Sequence, residues 1–379
     1  MVEASTAGPF AATFDAARVR EIAARVAAVA PRFDTDRFAR LATRDLESLG
    51  MKARSAAIAR ALADTVPGDA RTALDTLARS LEGGEADGAD EDPEAWADFG
   101  AMPVLDAVPL LALGEPDVAF DAMARLTRRF SAEFAVRPFL ARHPDRSLER
   151  LGAFAADPDW RLRRLASEGT RPRLPWGARL ARFVADPAPT LALIGPLHDD
   201  PHPIVRRSVS NHLNDVSRDH PALAVAAAAR WTATGTGTAR ATVRHGLRTL
   251  EKAGHPEALR LLGYGDASAV EVRGPRLSHR IARLGDALAV SARLRSTADA
   301  PAALVVDFAL ERPLARGGTG RKVFKLAKCT LAPGETREVS KALGLVQRST
   351  RTWYPGAYAV ELLVNGEARG RARFELADG

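Results

Sequence analysis

Asp157-Pro158-Asp159-Trp160-Arg161-Leu162-Arg163-Arg164-Leu165-Ala166-Ser167-Glu168 aligns, at an offset of 43 residues, with Asp200-Pro201-His202-Pro203-Ile204-Val205-Arg206-Arg207-Ser208-Val209-Ser210-Asn211. That offset lies in the window of about 40 to 47 residues that marks helix-pair solenoid repeats of the HEAT type. A weaker echo, Val243-Arg244-His245-Gly246-Leu247, begins 38 residues after Val205. Such repeats stack helix pairs into a curved superhelix with one concave face.

Outward from these stretches the same texture holds. From about residue 15 to residue 268 apolar residues recur at three-and-four spacing, and Pro or Gly punctuates segments of helical length. Residues 1–14 are expected as a flexible N-terminus. Residues 81–98 break the pattern with Gly83, Gly84, Gly88 and a run of acids, and the acidic loop expected at 82–95 reads as a solvated insertion.

Near residue 272 the period changes. Ala287–Leu294, Leu304–Leu310 and Tyr358–Val364 read as strands, and Asn365-Gly366 supplies a two-residue hairpin turn before Ala368–Leu376. Turn signals about every ten residues predict an immunoglobulin-like β-sandwich over residues 272–379. The fold class is therefore a multidomain α-then-β chain: an α-helical HEAT-like repeat solenoid followed by an immunoglobulin-like β-sandwich.

The net charge of +7 favours a polyanionic partner. From Val272 onward nineteen Lys and Arg stand against ten acids, so the sandwich holds the whole positive excess. The one cysteine, Cys329, forms no intramolecular disulfide and offers no paired thiolates for zinc. The N-terminus lacks a basic region followed by an apolar run, and no long apolar stretch occurs, so secretion and membrane spanning are not expected. The compartment implied is the cytoplasm.

Three arginines are followed four residues later by a polar or acidic residue: Arg129 by Glu133, Arg164 by Glu168, and Arg207 by Asn211 and then Asp215. On a helix this spacing puts both members on one face, and Arg before acid is the poorer order for a stabilising pair. Two of the three fall at matching places in successive repeats, which suits a ligand groove. After Glu168, Gly169-Thr170-Arg171-Pro172-Arg173-Leu174-Pro175-Trp176 ends the helix in a rigid connector. Arg171 and Arg173 suit phosphates, and Trp176 suits a sugar or base. His198, His202, His212 and His220 lack tight ligand spacing and are read as surface or DNA-facing residues; no metal and no cofactor is expected.

The run Ala166-Ser167-Glu168-Gly169-Thr170-Arg171-Pro172-Arg173-Leu174-Pro175-Trp176 resembles the AlkC branch of the AlkC/AlkD DNA alkylation-repair glycosylases. The segments 200–215, 130–140 (read as a helix) and 243–264 resemble that branch too, and Trp353-Tyr354-Pro355-Gly356 with Val364-Asn365-Gly366 resembles its appended immunoglobulin-like domain. The resemblance implies a monofunctional glycosylase in base excision repair. It would excise cationic N3-alkylated bases, chiefly 3-methyladenine and 3-methylcytosine, from duplex DNA without full base flipping. It also implies that Glu133, Glu168, Asp215 and Trp176 lie at the lesion and that Arg164 and Arg171 contact DNA.

The chemistry agrees with those residue types. A cationic base leaves readily, so negative charge beside the developing oxocarbenium sugar and a positioned water are what help; Glu133, Glu168 and Asp215 are the candidates. The expected DNA contacts are Arg129, Arg164, Arg171, Arg173, Arg206, Arg207, Asn211, His212 and Arg244 in the solenoid, and Lys322, Lys325, Arg348 and Arg351 in the sandwich. The partner is double-stranded alkylated DNA, bound by a monomer that joins the nucleoid when on DNA. The alternative is a non-catalytic helical-repeat scaffold that binds DNA or protein, against which carboxylates set among arginines speak.

Overall fold

A computed structural model describes residues 9–82, 98–233, 235–265, 267–315, 317–347 and 352–377. Apart from Glu82 the acidic loop lies outside the described residues, as do Arg348 and Arg351. Helices fill the chain as far as Pro256–Leu261, and strands begin at Val270. Aspartates start several helices: the side chains of Asp15, Asp34 and Asp69 accept from the backbone N–H three residues on, at 2.8, 2.8 and 2.9 Å. Each satisfies an amide the helix itself leaves unpaired, an effect of about 1 kcal/mol.

The repeat read in the sequence is also a repeat of hydrogen bonds. Asp157 Oδ1 accepts from the Asp159 amide at 2.7 Å, and 43 residues on Asp200 Oδ1 accepts from the His202 amide at 2.8 Å. Arg163 Nη1 donates to the carbonyls of Asp157 and Pro158, and Arg206 Nη1 donates to those of Asp200 and Pro201. Arg163 further grips the Asp200 carboxylate at 2.6 and 3.0 Å, tying one repeat to the next. Arg206, expected on DNA, thus has Nη1 engaged by the turn that starts its own helix.

The start of the chain corrects one expectation. Pro9–Thr13 form a 3-10 helix, Ala11 and Phe14 are buried, and Phe14 stacks on Phe99 with ring centroids 5.4 Å apart. The buried Arg54 donates to the carbonyls of Ala11 and Phe14. Within this stretch Ala11 and Phe14 are therefore packed rather than free in solvent. Residues 1–8 lie outside the described residues.

The chain packs as two compact units that divide between Gly246 and Leu247, with His220–Arg230 grouped with the second. The expected division near 268–272 follows the change from helix to strand; the packing changes earlier. Helices Arg248–Ala253 and Pro256–Leu261 belong with the strands because Glu251, nearly buried, is met by Lys328 and by the Tyr264 hydroxyl at 2.6 Å. Backbone also meets backbone there: a Cβ on Gly366 would stand 1.9 Å from the Gly254 carbonyl oxygen, so only glycine fits.

The strands are β1 (Val270–Leu277), β2 (Ile281–Ala282), β3 (Ala287–Ser296), β4 (Ala302–Pro313), β5 (Thr319–Leu331), β6 (Thr336–Gly344), β7 (Gly356–Val364) and β8 (Glu367–Leu376). They form a three-stranded sheet, β1-β3-β6, and a five-stranded sheet, β2-β8-β7-β4-β5. The four sequence-read strands fall inside β3, β4, β7 and β8. Between β7 and β8, Asn365 and Gly366 take φ of 46° and 83°, the positive pair that a tight two-residue hairpin requires. Leu288, Val290, Leu304, Phe308, Val360 and Leu362 fill the space between the sheets. Trp353 is buried beside them, and the Tyr358 hydroxyl donates to the Tyr354 carbonyl at 2.7 Å. Among the described residues no helix is long and apolar enough to cross a membrane.

Candidate functional site

The site is assembled in the first unit, from the last turn of the Trp160–Gly169 helix, the connector after it, the Pro203–Asp219 helix and the turns before the Val136–Arg142 helix. Asp159 caps the first of these, its side chain accepting from the Arg161 amide at 2.9 Å. Its far end packs closely on the Val136–Arg142 helix: a Cβ on Gly169 would lie 2.6 Å from Val136 Cγ2. The connector must therefore leave the helix at this glycine, and it delivers Arg171 inward.

Arg171 is only 6% exposed. Its Nη1 donates to Glu168 Oε1 at 2.6 Å, and Nε donates to Asp215 Oδ2 at 2.9 Å. Glu168 Oε2 accepts from Ser208 Oγ at 2.6 Å. Ser208, His212 and Asp215 lie on one face of their helix, at the four- and three-residue spacing that stacks side chains, and all three reach the neighbouring helix or its connector. On the other side Arg164 Nη1 donates to Glu133 Oε2 at 2.8 Å and to Ser131 Oγ at 2.7 Å. The result is a ladder of alternating charge: Glu133, Arg164, Glu168, Arg171, Asp215.

Burial and pairing compete along this ladder. Burial alone pushes the Glu168 carboxyl up, yet Arg164 and Arg171 together outweigh it and hold the group below the usual carboxylate range. At Asp215 burial wins over the Arg171 pair and lifts the carboxyl above that range. Three carboxylates face two guanidiniums along the ladder and Arg137 behind it brings a third, so the cluster balances in formal charge while holding its carboxylates at fixed places. Arg137, 3% exposed, lies behind it and is brought down to about 10 by burial and then by Arg171.

Trp176 is 53% exposed, and its φ of 62° is a conformation that costs an L-residue roughly 1–2 kcal/mol. Neighbours hold the connector there. Lys52 Nζ donates to the Trp176 carbonyl from 124 residues away. Arg137 donates to the carbonyls of Gly169 and Arg171 at 3.1 and 3.0 Å and to that of Ala178. Sequence reading missed Arg137, Lys52 and Ser208. Arg137 stands alone among Ala135, Val136, Pro138 and Phe139, and an arginine set so deep in an apolar run was the available signal.

Several expected contacts are placed otherwise. His212 is fully buried, with Nδ1 at 3.0 Å from the Ser167 carbonyl and Nε2 at 3.0 Å from Thr190 Oγ1. It cannot face DNA, because its polar spacing put it on the packed side of the helix. Arg129 and Glu133 are not on a helix; they lie in the turns between Pro116–Leu126 and Val136–Arg142, so the expected helix 130–140 begins only at Val136. Arg129 pairs with Asp98 at 3.3 Å, and Glu133 with Arg164. Arg171 is the buried hub described above rather than an exposed cation. Lys325 is bound to the buried Asp307 at 2.9 Å. His202 stacks on Trp160 and His198 on Trp231. Arg207, Arg244 and Lys322 are exposed, Asn211 is partly exposed, and Arg173 is paired with Asp219 at 2.7 Å.

Comparison with known proteins places this arrangement among relatives. Residues 271–378 match the family described as "Uncharacterised protein YhaZ, C-terminal Ig-like domain". YhaZ of Bacillus subtilis strain 168 is 32% identical over 271 residues, covering 72% of this chain and 75% of its own length. The alkylpurine DNA glycosylase AlkC of Pseudomonas fluorescens, in a structure bound to DNA containing an abasic site analog, is 33% identical. It superposes with a TM-score of 0.81, over 97% of this chain and 99% of that one.

Proposed function

The chain belongs to the AlkC branch of the AlkC/AlkD DNA alkylation-repair glycosylases, in the form with a C-terminal immunoglobulin-like domain, and from that premise we propose that it is an alkylbase DNA glycosylase. It hydrolyses the N-glycosidic bond of cationic N3-alkylated bases, 3-methyladenine and 3-methylcytosine, in duplex DNA, acts as a monofunctional enzyme, and does so without extruding the base fully into a pocket. It works as a cytoplasmic monomer that joins the nucleoid when bound to damaged DNA.

The observation that carries this reading is the charge ladder beside an exposed tryptophan. An oxocarbenium-like sugar is positive, and preorganised carboxylates lower its energy without reorganising at the moment of reaction. Glu133, the most exposed of the three with 14% of its side chain open, is the carboxylate best able to orient an attacking water. Glu168 and Asp215, held by Arg171, supply fixed negative charge. Trp176 offers an apolar face to the sugar. The leaving group is already cationic, so no general acid is needed. The protein incubated with methylated duplex DNA should release 3-methyladenine, resolved by chromatography, and leave an abasic site with the strand intact; DNA that is bound but never depurinated would return the scaffold reading.

A further inference from the structure

A buried side chain closes the connector that carries Trp176. Arg137 comes from the Val136–Arg142 helix, and its fork meets the connector at both ends: Nη1 donates to the carbonyls of Gly169 and Arg171 at 3.1 and 3.0 Å, and Nε donates to that of Ala178 at 2.6 Å. The loop backbone lies directly on this side chain, since a Cβ on Gly177 would stand 3.1 Å from Arg137 Nε and 3.3 Å from its Cδ. Within the loop, the Gly177 amide donates to the Leu174 carbonyl at 3.1 Å and the Leu180 amide to the Pro172 carbonyl at 3.2 Å, while Pro172 and Pro175 have no amide to give. A second anchor reaches the strained residue from outside the loop. Lys52 Nζ donates to the Trp176 carbonyl and stands 5.9 Å from the centre of the Phe134 ring, next in the chain to Glu133.

Arginine suits the closing position and lysine does not. The guanidinium presents its N–H donors in a rigid plane, so one group spans carbonyls that a single ammonium nitrogen cannot reach together. Burial and Arg171 oppose its charge, and Glu133, Asp215 and Glu168, the carboxylates of the ladder, favour it. The same side chain therefore shapes the loop and balances the ladder. We propose that Arg137 and Lys52 are positioning residues for Trp176: together they fix the connector from Gly169 to Ala178 so that the indole is presented in register with the carboxylates of the ladder. That the indole meets a sugar rests on the glycosylase reading; the hold on the loop does not.

The full chain labelled with 5-fluorotryptophan gives one fluorine resonance for each of its five tryptophans, and Trp176→Phe identifies the resonance of Trp176. Arg137→Lys, which keeps the charge and gives up the fork, and Lys52→Met should each shift and broaden that resonance and leave the other four in place. Single-turnover base release from methylated duplex DNA supplies the second readout. Each variant should slow release by roughly ten- to a hundred-fold, the range for a misplaced group, with DNA affinity kept within about three-fold. In a Trp176→Ala background the same substitutions should slow release by no more than about three-fold, because the loop then has no indole to place. A Trp176 resonance unmoved in both variants, or equal slowing with and without the indole, overturns the proposal. So does disturbance of all five resonances, the mark of a structural role. Lys52 is exposed, so Lys52→Met carries the test even where Arg137→Lys does not fold. If the wild type releases no base, the glycosylase reading falls, and the fluorine spectra still decide whether the two residues hold the loop.

Discussion

Replacing Arg171 by Met removes the positive charge that two buried carboxylates share. Met keeps the apolar stem as far as the place of Nε and lacks only the three outer guanidinium atoms, so the loss is chiefly electrostatic. Glu168 retains Ser208 and the nearby Arg164, whereas Asp215, whose carboxyl burial already lifts, loses the partner that donates to it at 2.9 Å. Breaking one side of a buried ion pair costs about 3–5 kcal/mol. At about 2–4 °C per kcal/mol for a unit of this size, the melting temperature should fall by roughly 6–20 °C. The pH dependence has a definite sign. A carboxyl raised in the folded state stabilises below its unfolded pKa and loses that contribution as pH rises through its folded pKa, and Met at 171 raises Asp215 further. The deficit should therefore be small near pH 4 and grow toward pH 7. Urea unfolding of Arg171→Met, Asp215→Asn and the double variant across that range measures it, with the double variant losing much less than the sum of the singles. A deficit below about 1 kcal/mol at pH 7, with additive singles, would show that Arg171 is not an ion-pair hub and would free it for phosphate.

Three further outcomes are expected. Glu133→Gln, Glu168→Gln and Asp215→Asn should each reduce base release far more than DNA affinity, since they remove charge complementary to the transition state; single-turnover excision beside equilibrium binding checks this, and parallel losses in both would mark them as structural. His212, brought down to about 4 by burial, stays neutral in the fold while the unfolded chain takes a proton near pH 6.5, so stability should be lost as pH falls from about 6.5 toward 4, by up to about 3 kcal/mol; His212→Asn should flatten that part of the curve in denaturant titrations. In the sandwich, Lys322→Ala should flatten the salt dependence of DNA affinity by roughly one unit of slope, as should Arg348→Ala and Arg351→Ala, whereas Lys325→Ala should leave the slope unchanged and destabilise the sheet by stranding Asp307; affinity measured at several salt concentrations separates the two.

Much of the architecture was written along the chain. The offset between Asp157 and Asp200 marked the repeat because the Asp-Pro turn and its arginine recur as local hydrogen bonds, and local bonds depend on neighbours in sequence. The hairpin at Asn365-Gly366 was legible for the same reason: two positive φ angles restrict the residue types. Glu168, Asp215 and Trp176 were visible as residue types on a helix end and a rigid connector. What no spacing could disclose was the burial of each charge. Arg171 and Arg173 are two residues apart in one connector, yet one is sealed between Glu168 and Asp215 and the other lies at the surface with Asp219. His212 read as polar and accessible, and only the packing of its helix against Ser167 and Thr190 made it a neutral core group. Arg137 acquired its role from carbonyls more than thirty residues away. Composition and period decide which elements form, because those depend on the residues within each element; which charges pair, and which remain for a ligand, depends on side chains that only tertiary packing brings together.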